Sequence, residues 1–148
     1  MFLDYIVPCI YAFFACFTFC LVFIVKDKNV ILVSCLGGAL GWFAYLLAGQ
    51  FMSIVSQNLV AAIVVGLFAE IMSRVMKTPA TIFLIIGILP MVPGGGIYYT
   101  MEYAVYGNTE MFLEKGLQTF AISAAIAFGV SISSSIFRLC SYNKCKLK

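Results

Sequence analysis

Polar residues interrupt this apolar chain at only a few places, and the intervals between them define its elements. Tyr5 to Val25 is an apolar run closed by the polar turn Lys26-Asp27-Lys28-Asn29. A second run spans Val30 to Gly49, and Gln50 to Asn58 is a mildly polar connector without a charge. The pattern predicts helices over about 5–25, 30–49, 54–75, 80–106 and 116–139. Each is roughly 20 residues or longer, enough at 1.5 Å per residue to cross a hydrocarbon core of ~30 Å. Asp4 stands where a cleaved signal peptide would carry a base, so the first run reads as a retained helix. Pro8 falls in its first turn, where a missing donor costs little.

The fourth segment departs from the pattern. Between Thr78 and Met101 the chain reads TPATIFLIIGILPMVPGGGIYYTM, apolar throughout yet unable to form one regular helix. Pro90 and Pro93 lack the N–H groups that would reach the carbonyls of Ile86 and Leu89, and their rings clash with the preceding turn. Gly94, Gly95 and Gly96 follow at once and favour unwinding. A break over 90–96 is expected, leaving two half-helices near mid-depth. Lipid tails offer no hydrogen bonds, so loosened backbone is tolerated there only inside protein or against a water-filled cavity. The rest of the chain is therefore expected to enclose the break. The amides of Gly94 to Ile97 would open the second half-helix and suit a carboxylate. The carbonyls of Ile86 to Leu89 would suit an ammonium group or a cation. Pro90, Pro93, Gly94, Gly95 and Gly96 are thus candidate substrate-binding residues. The alternative is a Pro-Gly kink filled by a neighbouring helix, with nothing bound.

Composition agrees with the pattern. Of 148 residues, 64% are hydrophobic and 10% charged, with no histidine, and mean hydropathy is +1.08. A soluble domain carries about a quarter charged residues. The whole chain, 1–148, reads as a single all-α transmembrane domain with no room for a soluble one. Its net charge of +3 lies at the ends of apolar runs, as topology signals rather than a nucleic-acid surface. Of the nine Lys and Arg, eight (Lys26, Lys28, Arg74, Lys77, Arg138, Lys144, Lys146 and Lys148) fall on one side if the fourth segment crosses once. The positive-inside rule then gives five crossings, with the amino terminus outside and the carboxyl terminus cytoplasmic. A re-entrant fourth segment would put the basic tail outside. Cys9, Cys16, Cys20 and Cys35 lie in apolar runs and act as small hydrophobes, and the spacing of Cys140 and Cys145 fits no zinc motif. No metal or other cofactor is expected.

Several helical faces carry small or ionisable residues. Gly37 and Gly41 have the small-xxx-small spacing that lets helices approach closely, and packing is the reading adopted for them. Ser123, Ala127, Ser131 and Ser135 repeat every fourth position and likewise ask for another helix, although the serines could line a polar path or bond their own helix. Ala62, Gly66, Glu70 and Arg74 share a face that passes from small residues to an acid and a base. Glu70 and Arg74 form an i,i+4 pair, read either as snorkelling at the membrane surface or as a gate or proton-handling carboxylate. Glu102 is the other acid near a crossing. No nucleophile–base constellation supports an enzyme.

Pro79-Ala80-Thr81-Ile82-Phe83, then Gly87-Ile88-Leu89-Pro90-Met91-Val92-Pro93-Gly94 and Tyr98, with Glu70-x-x-x-Arg74 upstream, resemble the threonine/serine exporter family. The closer resemblance is to its small, membrane-only component. It implies a bacterial cytoplasmic (inner) membrane protein that exports small amino acids or small carboxylates, driven by the proton gradient, with a larger membrane subunit as partner. It adds Tyr98 to the candidate substrate-binding residues and marks Glu70 and Arg74 as the charged pair before the signature turn; together with Glu102, the other acid near a crossing, they are the candidates for gating or proton handling. A second expectation is a scaffold that stabilises the larger subunit without touching substrate.

Overall fold

In the computed structural model, which describes the backbone of residues 3–146 and the side chains of residues 5–139, six α-helices follow one another. They are α1 (Leu3–Val22), α2 (Lys28–Ala48), α3 (Ile54–Met76), α4 (Ala80–Ile88), α5 (Gly94–Val105) and α6 (Thr109–Lys146), with a 3-10 turn at Leu89–Met91 between α4 and α5. No strand occurs among the described residues. Helices α1, α2, α3 and α6 are each long and apolar enough to cross a membrane. The pair α4–α5, bent by 52°, makes a fifth span if it counts as one crossing. Cys140, Cys145 and the bases beyond them lie outside the described side chains.

Three helices close with the same device. At the end of α1, Ile24 N–H donates to Leu21 O at 3.1 Å and Val25 N–H to Cys20 O at 3.1 Å, with Ile24 left-handed at φ 54°. The end of α3 repeats it with Lys77 at φ 53° and Thr78 N–H on Ser73 O at 3.1 Å. The end of α5 uses Gly107 at φ 72°, with Asn108 N–H on Tyr103 O at 3.0 Å. These bonds satisfy carbonyls that a helix end otherwise leaves free. They also end α1 at Val22 rather than at Val25. Glycine occupies the left-handed position only in the third, and a β-branched residue such as Ile24 holds it at a cost of about 1–2 kcal/mol.

Helix α6 starts at Thr109, not near 116. Asn108 Oδ1 accepts from Met111 N–H at 3.2 Å, and Glu110 sits in the first turn, where the helix dipole favours an acid. The polar stretch before Gly116 is therefore helix rather than loop.

Close backbone approach holds the bundle together. A Cβ placed on Gly129 of α6 would lie 2.8 Å from both Ala62 Cβ and Leu59 O of α3, and one on Gly66 would overlap Ser133. Gly37 faces the Phe68 ring, Gly41 faces Val65 and Met91, and Gly38 faces Cys16. A Cβ on Gly87 of α4 would lie 2.7 Å from Val65 Cγ1 and 3.8 Å from the backbone of Gly37 and Gly38. Between membrane helices, close contact of this kind replaces the hydrophobic drive that lipid removes. The stripe Ser123, Ala127, Ser131 and Ser135 is exposed, so no helix of this chain packs on it. Its hydroxyls bond carbonyls of their own helix, at 3.0 Å for Ser123 and 2.8 Å for Ser131. Helix α6 turns Ala125, Ile126, Gly129 and Ser133 inward instead, because Gly129 is where α3 backbone can come close.

Candidate functional site

The break begins at a carbonyl that Pro90 cannot serve. Ile86 O accepts from Cys16 Sγ at 3.4 Å, a donor supplied by α1 in place of the missing amide. Leu89 O then accepts from Val92 N–H at 3.3 Å, Val92 is extended at ψ 128°, and Pro93 precedes α5. Only Val92 and Pro93 leave helical structure, so the break is narrower than the expected 90–96. Gly94, Gly95 and Gly96 form the first turn of α5. First-turn amides have no intrahelical acceptor, so the glycines need not unwind to leave them free. Gly94 N–H bonds Val92 O at 2.7 Å, and Ile97 N–H closes the turn on Pro93 O at 3.1 Å. The amides of Gly95 and Gly96 find no backbone acceptor among the described residues. They stand at the positive end of the helix dipole.

One side of the break is sealed and the other open. Met91 is buried in a cluster with Ala61, Ala62, Val65 and Ile126, against which Trp42 and Ile88 pack. Trp42 Nε1 is buried on this side without a partner. On the other side Gly94 and Gly95 are exposed, with no atom within 4 Å of a Cβ placed on either. Helix α5 buries no residue. The expected enclosure is thus only half present, because α5 packs chiefly along α6 and no described residue covers its other face.

Where α5 meets α6, Gly96 touches Thr119 too closely for any Cβ, and Gly116 lies under Thr100. Beside this contact runs a groove of about 460 Å³, reaching from Pro93 and Gly96 along α5 past the start of α3. Tyr99 and Tyr103 line it from α5. Lys115, Gln118 and Thr119 line it from α6. Lys115 Nζ lies 3.9 Å from Glu114 Oε1, and Thr119 Oγ1 donates to Lys115 O at 2.7 Å. The break and a cationic, hydroxyl-bearing surface therefore share one cavity. A second cavity of about 450 Å³ lies at the α1–α2 turn and the start of α4, with Lys26, Asp27 and Thr81 among mostly apolar walls. It runs along α4 as far as Ile85 and Ile86 and shares no lining residue with the groove at Pro93 and Gly96.

Of the residues singled out from the sequence, Pro93 and Gly96 line the groove. Gly94 and Gly95 open onto the uncovered side, and Pro90 sits in the 3-10 turn. Tyr98 points elsewhere, 66% exposed, its ring edge-on to Tyr99 at 5.5 Å. Glu70 and Arg74 form no ion pair. The Arg74 guanidinium lies over the Phe137 ring at 4.6 Å, because α6 runs beside the end of α3 and offers an aromatic face. Glu70 is half-buried near the α3–α4 connection, and Glu102 is half-buried on α5 near the α5–α6 connection, away from it. The groove residues Tyr99, Tyr103, Lys115, Gln118 and Thr119 did not stand out in the sequence. Their signal was the four-residue spacing of 99/103 and 115/119, readable only once 109–116 is known to be helical. No group of three metal-ligating side chains forms among the described residues.

Residues 8–136 match the family model described as Threonine/Serine exporter, ThrE. No curated protein and no solved structure matches the chain.

Proposed function

The chain belongs to the threonine/serine exporter family, and from that premise we propose that it is one subunit of a secondary exporter. It moves small amino acids or small carboxylates out across a bacterial cytoplasmic membrane by proton antiport. Its amino terminus lies outside and its carboxyl terminus in the cytoplasm, in a single transmembrane domain, as the charge bias favours. The observation that carries the reading is the break itself. Two half-helices meet at 52°, Gly95 and Gly96 carry free amides, and Gly96 stands at one end of a 460 Å³ groove. Discontinuous helices of this kind hold substrate in several transporter folds.

The open side supports a partner. Unpaired amides do not face hydrocarbon, so protein or water must cover the amide of exposed Gly95. A larger membrane subunit that packs on α5 would complete the cavity and supply what this chain lacks. The exposed stripe Ser123, Ala127, Ser131 and Ser135 offers that subunit a second close-packing face. Proton handling is assigned to Glu70 and Glu102, the half-buried acids nearest the crossings.

Separate deletion of this gene and of the gene for the larger subunit tests the proposal, with threonine, serine and succinate efflux measured with and without a protonophore. Either deletion should raise the intracellular solute and remove the gradient-dependent efflux. Unchanged solute after both deletions refutes export. A complex in which Pro93→Ala or Gly94→Leu assembles normally but does not transport favours a substrate-contacting role, whereas lost assembly favours a scaffold.

A further inference from the structure

Topology accounts for eight of the nine bases but not for Lys115. It lies on α6 about 9 Å from the start of the helix, at the end of the bundle where every other nearby charge is acidic. A base there works against the charge bias that orients the chain. Its side chain is 36% exposed and lines the groove, and its nearest acid, Glu114, stands at 3.9 Å. Charge-assisted hydrogen bonds run to about 2.7–2.9 Å, so this neighbour leaves the three ammonium donors unengaged. Around the ammonium the groove places the Tyr99 and Tyr103 side chains, Gln118 and Thr119. Thr119 Oγ1 already donates to the backbone and so presents only acceptor capacity to a solute.

We infer that Lys115 is a specificity-determining residue that holds the carboxylate of the exported solute after it leaves the start of α5 at Gly96. The assignment rests on the reading of the break and groove as the solute path. Both anion-binding groups border one cavity, Gly96 at its Pro93 end and the Lys115 ammonium farther along it. A carboxylate released from the first therefore meets the second within one groove, beside the Tyr99 and Tyr103 side chains. The same ammonium could hold a lipid phosphate, which shares the anion chemistry, and the test separates the two.

The complex, purified from its host membrane, is placed in nanodiscs of neutral phosphatidylcholine or of phosphatidylglycerol, and binding of labelled threonine and succinate is measured. Threoninol and succinamide, which lack the carboxylate, serve as controls. Lys115→Met should weaken binding of the carboxylate solute about tenfold or more, and Lys115→Arg should stay within about threefold of wild type. The carboxylate-free analogues should bind weakly and equally to all three proteins, which excludes misfolding as the cause. Wild-type binding that Lys115→Met leaves unchanged overturns the inference and spares the exporter reading. A Lys115→Met effect confined to retention of phosphatidylglycerol assigns the ammonium to lipid and also overturns it. A wild-type complex that binds neither solute overturns the solute-path reading along with it.

Discussion

Gly95 and Gly96 are neighbours in the first turn of α5, and the structure gives them opposite sensitivities. A Cβ on Gly95 meets nothing within 4 Å, and the residue is exposed, so a side chain there leaves the backbone without a clash. Replacing glycine by leucine in a helix gains up to about 0.8 kcal/mol of propensity, less in a first turn. Gly95→Leu should therefore leave the melting temperature unchanged or raise it by no more than about 2–4 °C. A Cβ on Gly96 overlaps Thr119 Oγ1 and lies 3.3 Å from Thr119 Cγ2. Thr119 cannot simply rotate away, because it is β-branched and its hydroxyl is bonded to Lys115 O. Gly96→Ala must push α5 from α6, an overpacking cost of about 1–3 kcal/mol against about 1 kcal/mol regained in propensity. Its melting temperature should fall, and Gly96→Leu should fall further. Thermal unfolding followed by size-exclusion chromatography in detergent reads both. Efflux from cells expressing the variant with its partner then reads function, where Gly95→Leu should lose about tenfold or more while accumulating normally. Wild-type efflux by Gly95→Leu would mean that neither solute nor partner ever enters the space before this amide, and the reasoning about the break would be wrong.

Gly87→Ala should destabilise by about 1–2 kcal/mol net, because its Cβ strikes Val65 Cγ1 at 2.7 Å where α2, α3 and α4 converge; an unchanged melting temperature would show that α4 is free to shift. Ile24→Gly should stabilise by about 1 kcal/mol by relieving a left-handed isoleucine at φ 54°, and a lower melting temperature would count against the strain. Arg74→Gln and Phe137→Leu should couple by about 0.5–1 kcal/mol in a double-mutant cycle, whereas Arg74→Gln and Glu70→Gln should not couple measurably. Glu70→Gln should change stability by less than about 0.5 kcal/mol, there being no ion pair to lose among the described residues, yet slow gradient-driven efflux; efflux equal to wild type would remove Glu70 from the proton path.

Much of the architecture was legible in the chain because lipid imposes a simple code. A helix must satisfy its own backbone there, so apolar length alone marked α1, α2 and α3, and two prolines marked the division between α4 and α5. Local chemistry misled where a residue had two uses. Gly94, Gly95 and Gly96 read as unwinding yet begin a helix, and the polar residues before Gly116 read as loop yet form a turn capped by Asn108. Partner choice was not legible at all. Arg74 had both an acid four residues before it and an aromatic ring on α6 within reach, and only packing selected the ring. Likewise the groove joins residues from three helices, and no local pattern tells which faces of Tyr99, Tyr103 and Lys115 will meet. The sequence by itself determined where the backbone could not continue as helix, since proline removes a donor wherever it stands. Tertiary structure decided which side of that break was sealed by Met91 and which lay open at Gly95, because that depends on how closely glycine backbones on separate helices could approach.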